Sequence, residues 1–129
     1  MLDTNILSDL IRNPQGRAAK WIARAGEDNI CTSIIVAAEL RYECAKSGSK
    51  RLHKAIEDLL GEINVLPFDV PAEAEYGGIR SELEAAGKPI GSNDLLIAAH
   101  AYAIGATIVT ANADEFKRIR GLSVENWLA

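Results

Sequence analysis

The chain lacks any apolar run of ~18 or more residues, so it offers no helix able to span a bilayer. It shows no basic stretch followed by an apolar one at its start, so no signal peptide is expected. Cysteine is scarce. Cys31 and Cys44 have no metal-type spacing, and neither sits beside another sulfur or a histidine. Free thiols in a reducing, cytoplasmic setting are the expectation. An excess of positive charge is also missing: 14 Lys and Arg stand against 18 Asp and Glu, a net charge of −4. This argues against a protein that holds nucleic acid by a bulk positive field, but leaves room for a nuclease whose acids gather at a metal site. Aromatics are only 5% of the chain. Trp21 and Trp127 read as core or interface anchors rather than base-stacking platforms, as do Phe68 and Tyr76. Of the two histidines, His53 reads as a surface residue. His100 lies off the face of Asp94 on an apolar helix and reads as structural. No internal repeat, low-complexity tract or linker is visible.

What is present is 129 residues, nearly half of them apolar, enough for the core of one domain over 1–129. Met1 and Leu2 end a very short strand before Asp3. Ile6 to Arg12 fits a helix with Ile6, Leu7, Leu10 and Ile11 inward. Asn13-Pro14 breaks it, and Pro14 suits the first position of a second helix to Ala25, closed by Gly26. Asn29 to Thr32 reads as a strand, and Ser33 as the N-cap of a helix from Ile34 to Lys46. Lys50 to Leu60 is another helix, and Ile63 to Phe68 a strand ended by Pro67. Pro71 opens a helix to Ala86. The loop Lys88 to Asn93 leads to Asp94, at the head of a helix, Leu95 to Ala103, apolar on most sides and therefore expected to be central. Ala106 to Val109 is a buried-type strand, Glu115 to Ile119 a short helix and Leu122 to Trp127 a last strand. Strands alternating with helices predict an α/β fold, a mostly parallel sheet with helices on both faces.

In such a sheet, chemistry collects at the carboxyl ends of strands, and ends far apart in sequence converge in one crevice. Acids stand at four such places. Asp3 follows the first strand. Glu39 lies in the helix after the second, oddly flanked by small and apolar residues. Asp94 heads the buried helix. Asn112, Asp114 and Glu115 follow the fourth strand. Three carboxylates meeting there would repel one another and raise one another's pKa. A divalent cation with hard oxygen ligands, Mg²⁺ or Mn²⁺, resolves the conflict. It also makes water a better nucleophile and neutralises charge on a phosphoryl oxygen, which is a plan for phosphodiester hydrolysis. Each acid has a structural alternative. Asp3 and Asp94 suit helix caps. Glu39 and Glu43 share a helix face. Asp114 and Glu115 suit the first turn of a helix.

Four motifs go beyond spacing: Leu2-Asp3-Thr4-Asn5; Ser33 with Ala38-Glu39-Leu40-Arg41-Tyr42; Asn93-Asp94-Leu95-Leu96-Ile97-Ala98-Ala99-His100-Ala101; and Val109-Thr110-Ala111-Asn112 leading to Glu115-Phe116. Together they resemble the PIN-domain ribonucleases, and within them the VapC-like toxins of bacterial type II toxin–antitoxin modules. The ending, Gly121-Leu122 to Glu125-Asn126-Trp127, is similar to that group too. The resemblance implies a PIN-like three-layer α/β fold with a mostly parallel central sheet of four to five strands. It implies a Mg²⁺- or Mn²⁺-dependent endoribonuclease, with tRNA or ribosomal RNA as substrate class and a 3′-hydroxyl and 5′-phosphate as products. Asp3, Glu39 and Asp94 match the family's acidic positions and are the expected catalytic and metal-holding residues. The family's fourth acid falls where this chain has Asn112; Asp114 or Glu115 is the alternative source, Glu115 being assigned to the helix. Thr4 is placed to hydrogen-bond a carboxylate or a metal-bound water, and Ser33 to cap a helix behind the site. The resemblance also implies longer first strands than the two residues before Asp3. Its implied partners are a VapB-like antitoxin, often with an Arg entering the acidic pocket, and a second toxin copy in a homodimer or larger toxin–antitoxin assembly.

Two basic clusters are candidates to hold the RNA backbone: Arg12, Arg17, Lys20 and Arg24, or Lys46, Lys50, Arg51 and Lys54. Two other readings stay open. A phosphoaspartyl hydrolase would use Asp3 as nucleophile, but Asn5 stands where such enzymes want a second acid. A non-catalytic partner-binding domain would use a sheet edge or helix face. An exposed apolar face on Ile6 to Arg12 or Lys50 to Leu60 would mark a protein partner.

Overall fold

The computed structural model describes all 129 residues. Its strands are short and pair only in parallel: β1 (Cys31–Ser33) with β2 (Asn64–Leu66), and β3 (Ile108–Val109) with β4 (Val124–Glu125). Met1 to Asp3 runs between the two pairs. Leu2 bridges Thr32 on one side and Val109 on the other, again in parallel sense. The Leu2 N–H donates to the Cys31 carbonyl at 2.8 Å, and the Asp3 N–H to the Val109 carbonyl at 2.9 Å. The order across is therefore β2, β1, Leu2, β3, β4. Leu2 is wholly buried, which stabilises the centre by roughly 1.5–3 kcal/mol. The buried Thr32 hydroxyl donates to the Leu2 carbonyl at 2.7 Å and locks the bridge.

Seven α-helices connect these strands: α1 (Thr4–Arg12), α2 (Arg17–Ala25), α3 (Ile34–Ser47), α4 (Lys50–Glu62), α5 (Ala72–Ala85), α6 (Ser92–Ala103) and α7 (Ala113–Phe116). Several boundaries differ from expectation: α1 starts at Thr4 rather than Ile6, and α7 spans Ala113–Phe116 rather than Glu115 to Ile119. α2 starts at Arg17 with Gly16 as N-cap, not at Pro14. The Asn13 N–H closes α1 on the Asp9 carbonyl, and the Gly16 N–H returns to the Asn13 carbonyl. Pro14 and Gln15 are thus the crest of a tight turn. α6 begins at Ser92, so Asp94 belongs to its first turn rather than preceding it. The strands are also narrower than the apolar runs. Glu27–Asn29 wind a 3₁₀ turn before β1, and β3 and β4 pair over two residues each.

α6 is central, as its composition requires: Leu95, Ile97, Ala98, Ala99, His100 and Ala101 are all buried. It packs most extensively on α5, while α3 touches α1, α4 and α6. Ser33 caps α3 by accepting from the Ile35 N–H at 3.1 Å, and its hydroxyl lies 2.8 Å from His100 Nδ1. The His100 ring meets Phe68 edge-on at 5.6 Å. Both residues are thus fixed inside the core, the structural role expected of His100. Trp127 is buried and stacks on the more exposed Trp21 at 5.6 Å, with the Arg24 guanidinium 5.3 Å from the Trp21 ring centre. Cys31 and Cys44 are free thiols. No helix is long and apolar enough to cross a membrane.

Candidate active site

Because every pairing is parallel, the chain leaves Leu2, β1 and β3 on the same side of the sheet. Asp3 follows Leu2 and N-caps α1: its Oδ1 accepts from the Thr4 N–H at 2.8 Å. Thr110 follows β3, and its buried hydroxyl donates to Asp3 Oδ2 at 2.8 Å. Asn5 Nδ2 lies 3.3 Å from both Asp3 Oδ2 and Thr110 Oγ1, while Asn5 Oδ1 accepts from the Ala111 N–H at 2.9 Å. Asp3 is therefore both a helix cap and a wall of the crevice; the two readings of it are compatible. At the first residue of α1, the Thr4 hydroxyl donates to Glu39 Oε1 at 2.7 Å, which brings α3 to the same place. Asn93 Nδ2 reaches within 3.5 Å of Glu39 Oε2 from α6.

These side chains surround a cavity of about 330 Å³ with no apolar lining residue: Asp3, Thr4, Asn5, Ser8, Arg12, Glu39, Glu43, Asp94 and Asn112. Its electrostatics follow from crowding. Burial raises the Asp3 pKa above its ordinary value, assisted by the charge of Glu39 and opposed by the bonds from Thr110, Thr4 and Asn5. Asp94 is pushed up from 3.8 to about 7, first by burial, then by the charge of Asp3 and by a hydrogen bond and charge from Glu115. Protonated Asp94 donates to Glu115, and its ionised form faces three further carboxylates.

The expected acids thus come together, and the fourth position is sharpened. Asn112 lines the cavity, its N–H donating to Thr110 Oγ1 at 2.9 Å. Glu115 is the acid that meets Asp94. Its Oε1 also accepts from the Gly91 N–H at 2.9 Å, which ties α7 to the start of α6. Glu115 belongs to α7, as expected, and from that single turn it also faces Asp94. Asp114 points elsewhere and is exposed. Ser33 does not reach the cavity, being fully buried under α3.

The basic clusters separate as well. Arg12 lines the acidic cavity, and Arg17 shares a neighbouring hollow with it. Lys20 is exposed, and Arg24 is engaged over Trp21. Lys46, Lys50, Arg51 and Lys54 line no part of the acidic cavity. Lys54 pairs with Asp58 at 3.0 Å, and Lys46 sits 6.0 Å from the Tyr42 ring. Asn5, Thr110, Ser8 and Glu43 were not singled out as site residues in the sequence. Thr110 has two signals, its position directly after a buried strand and its place in the motif Val109-Thr110-Ala111-Asn112. Glu43 had only its shared face with Glu39.

The donor set is all hard oxygen, with no thiol or imidazole. No three of its acids are close enough to enclose an ion by themselves. A small cation that keeps several waters and takes one or two carboxylates directly fits such a wall.

The PIN domain family profile matches residues 1–122. Ribonuclease VapC2 of Rickettsia felis is 43% identical over 129 residues, covering 98% of this chain and 96% of that protein. The tRNA(fMet)-specific endonuclease VapC of Shigella flexneri is 38% identical over 128 residues, covering 98% of this chain and 96% of that protein. A solved structure, VapBC2 from Rickettsia felis bound to a DNA fragment from its promoter, superposes with a TM-score of 0.90 at 39% identity, covering 98% of this chain and 97% of that one. Acids at the carboxyl side of a short parallel sheet, and a match that runs from Met1 through the last helix, agree on one conclusion: the chain belongs to the PIN domain family.

Proposed function

We propose that this chain is a metal-dependent endoribonuclease that hydrolyses RNA phosphodiester bonds in tRNA or ribosomal RNA, acting in the cytoplasm as the toxin of a toxin–antitoxin pair. The observation that carries the reading is the convergence of Asp3, Glu39 and Asp94 on one wholly polar cavity in a PIN domain. The ribonuclease and tRNA endonuclease names of its relatives support the substrate class.

Asp3, Glu39 and Asp94 would hold Mg²⁺ or Mn²⁺, one or two of them directly and the rest through water, and the ion when bound would supply a more acidic water and stabilise charge on a phosphoryl oxygen. The chain's own residues prepare that wall. Thr110 and Asn5 fix one oxygen of Asp3, the Thr4 N–H fixes the other, and the Thr4 hydroxyl fixes Glu39. Positions held by several bonds need no rearrangement when the substrate arrives. Asp94 shares its proton with Glu115 in the absence of a cation. Arg12, on the same wall, offers a guanidinium to a phosphate oxygen. Asp3 is poorly suited to act as a phosphoaspartyl nucleophile, since both its oxygens already accept hydrogen bonds and Asn5 supplies no acid.

A VapB-like antitoxin is the proposed partner. The VapBC assembly of the structural neighbour supports it, as does an apolar groove of about 550 Å³ where Leu10 and Ile11 of α1, Ala19 and Ile22 of α2, and Ala55 and Leu59 of α4 meet. That is the exposed apolar face anticipated for a protein partner. A homodimer is proposed on the exposure of Ile34 and Tyr42 along α3.

The test is cleavage of total cellular RNA with Mg²⁺ and mapping of the cut ends, beside Asp3→Asn and Asp94→Asn proteins with unchanged circular dichroism. Wild type cuts at discrete sites and both variants are inactive. Cutting that persists in both variants refutes the site.

A further inference from the structure

Beside the acidic cavity lies a second hollow, of about 650 Å³, between the end of α1 and the start of α2. Arg12 lines both, so the two depressions adjoin at its side chain. The second is floored by the turn Asn13 to Gly16, flanked by Arg17 and closed by Leu128, the one apolar side chain it counts. A space this polar does not suit an apolar ligand.

Its charge is positive. Arg12 and Arg17 face one carboxylate, Asp9, whose Oδ1 is already taken by Asn13 Nδ2 at 3.0 Å. The four ion pairs of the chain use Arg41, Lys54, Arg80 and Arg120, so neither Arg12 nor Arg17 is neutralised by a partner. Arg17 Nη1 donates to the Leu128 carbonyl at 3.3 Å. That bond orients the guanidinium while leaving its charge and its other donors available. Two guanidinium groups on a polar hollow, that of Arg17 held in place and that of Arg12 free of any ion pair, suit the recognition of a phosphodiester.

We propose that this hollow between α1 and α2 seats an RNA phosphate adjacent to the one held in the acidic cavity, so that the strand crosses Arg12 and leaves over Arg17. The inference rests on the ribonuclease reading of the acidic cavity and adds to it the path of the substrate. The basic face of α4 lies off this path. Phosphate contacts of this kind set register without reading sequence.

The test is equilibrium binding of a labelled single-stranded RNA to the Asp94→Asn protein over a series of salt concentrations, with further substitutions made in that background. Removing one phosphate contact on a single strand lowers the slope of log K against log salt by about 0.7. Arg17→Ala is expected to weaken binding several-fold and lower the slope by that amount, Arg17→Lys to restore most of the slope, and Arg12→Ala to behave as Arg17→Ala. A Lys50→Ala, Arg51→Ala double substitution is expected to change neither quantity. Unchanged affinity and slope in Arg17→Ala, or the larger loss in the α4 double variant, would overturn the subsite while leaving the ribonuclease standing, provided wild type cuts RNA. Wild type that neither cuts nor binds RNA would bring down both.

Discussion

Replacing Asp94 with Asn should make the metal-free protein more stable at neutral and higher pH while abolishing cleavage. Asp94 has a folded pKa of about 7 against an ordinary 3.8, so the folded state holds its proton more tightly than the unfolded state does. The sign follows from linkage: the stability this group contributes is full below about pH 4 and is lost as pH rises through about 7. For a wholly buried carboxyl, a displacement of that size would correspond to roughly 4 kcal/mol. Asp94 is about half open to solvent, and screening reduces the figure to about 1–2 kcal/mol. Asn mimics the protonated form: it is neutral and still donates to Glu115. His100 works in the opposite direction, because burial holds its imidazole below its ordinary value. The difference between wild type and variant therefore carries the test, not the wild-type curve alone. The assay is chemical denaturation in EDTA at several pH values. Asp94→Asn should match wild type near pH 4 and exceed it by about 1–2 kcal/mol near pH 8. Saturating Mg²⁺ should then stabilise wild type more than the variant. A difference that does not change with pH, or a variant less stable than wild type near pH 8, would refute the account of a carboxylate forced into a crowded negative wall.

Thr110→Val keeps the shape but removes the hydroxyl that joins Asp3, Asn5 and the Asn112 N–H. It should cost about 1–3 kcal/mol in thermal or chemical melts and lower RNA cleavage, with Thr110→Ser recovering most of both. Glu115→Gln should weaken Mg²⁺-dependent cleavage and Asp114→Asn should leave it unaltered, measured as initial rates across a metal titration, because only Glu115 faces Asp94. Equal effects of the two substitutions would remove Glu115 from the site.

Much of this molecule is readable residue by residue. Ser33 caps α3, Gly26 ends α2, and the apolar sides of Leu95 to Ala103 put α6 at the centre, because capping and burial are set by neighbours a few positions away. The parallel alternation followed from the same periodicities. Asp3, Glu39 and Asp94 could be named as candidates because acids at strand ends and amid apolar runs are conspicuous. Boundaries were read less well. Pro14 is a good first residue for a helix, yet the hydrogen bond from Gly16 to Asn13 makes it a turn.

The sequence by itself determined the helices, the fold class and the acids that would have to be explained. Only the tertiary structure decided how those acids are held and which neighbours join them. The bond from Thr110 to Asp3 spans 107 positions and that from Thr4 to Glu39 spans 35. Asp94 turns to Glu115 and not to Asp114, Ser33 serves the core, and Arg12 rather than the α4 lysines borders the cavity. Such pairings depend on Leu2 bridging β1 and β3 at the middle of the sheet. Asp3 is held at the middle of the sheet because the backbone leading into it is hydrogen-bonded on both sides, a fact of neighbours in space that no local spacing encodes.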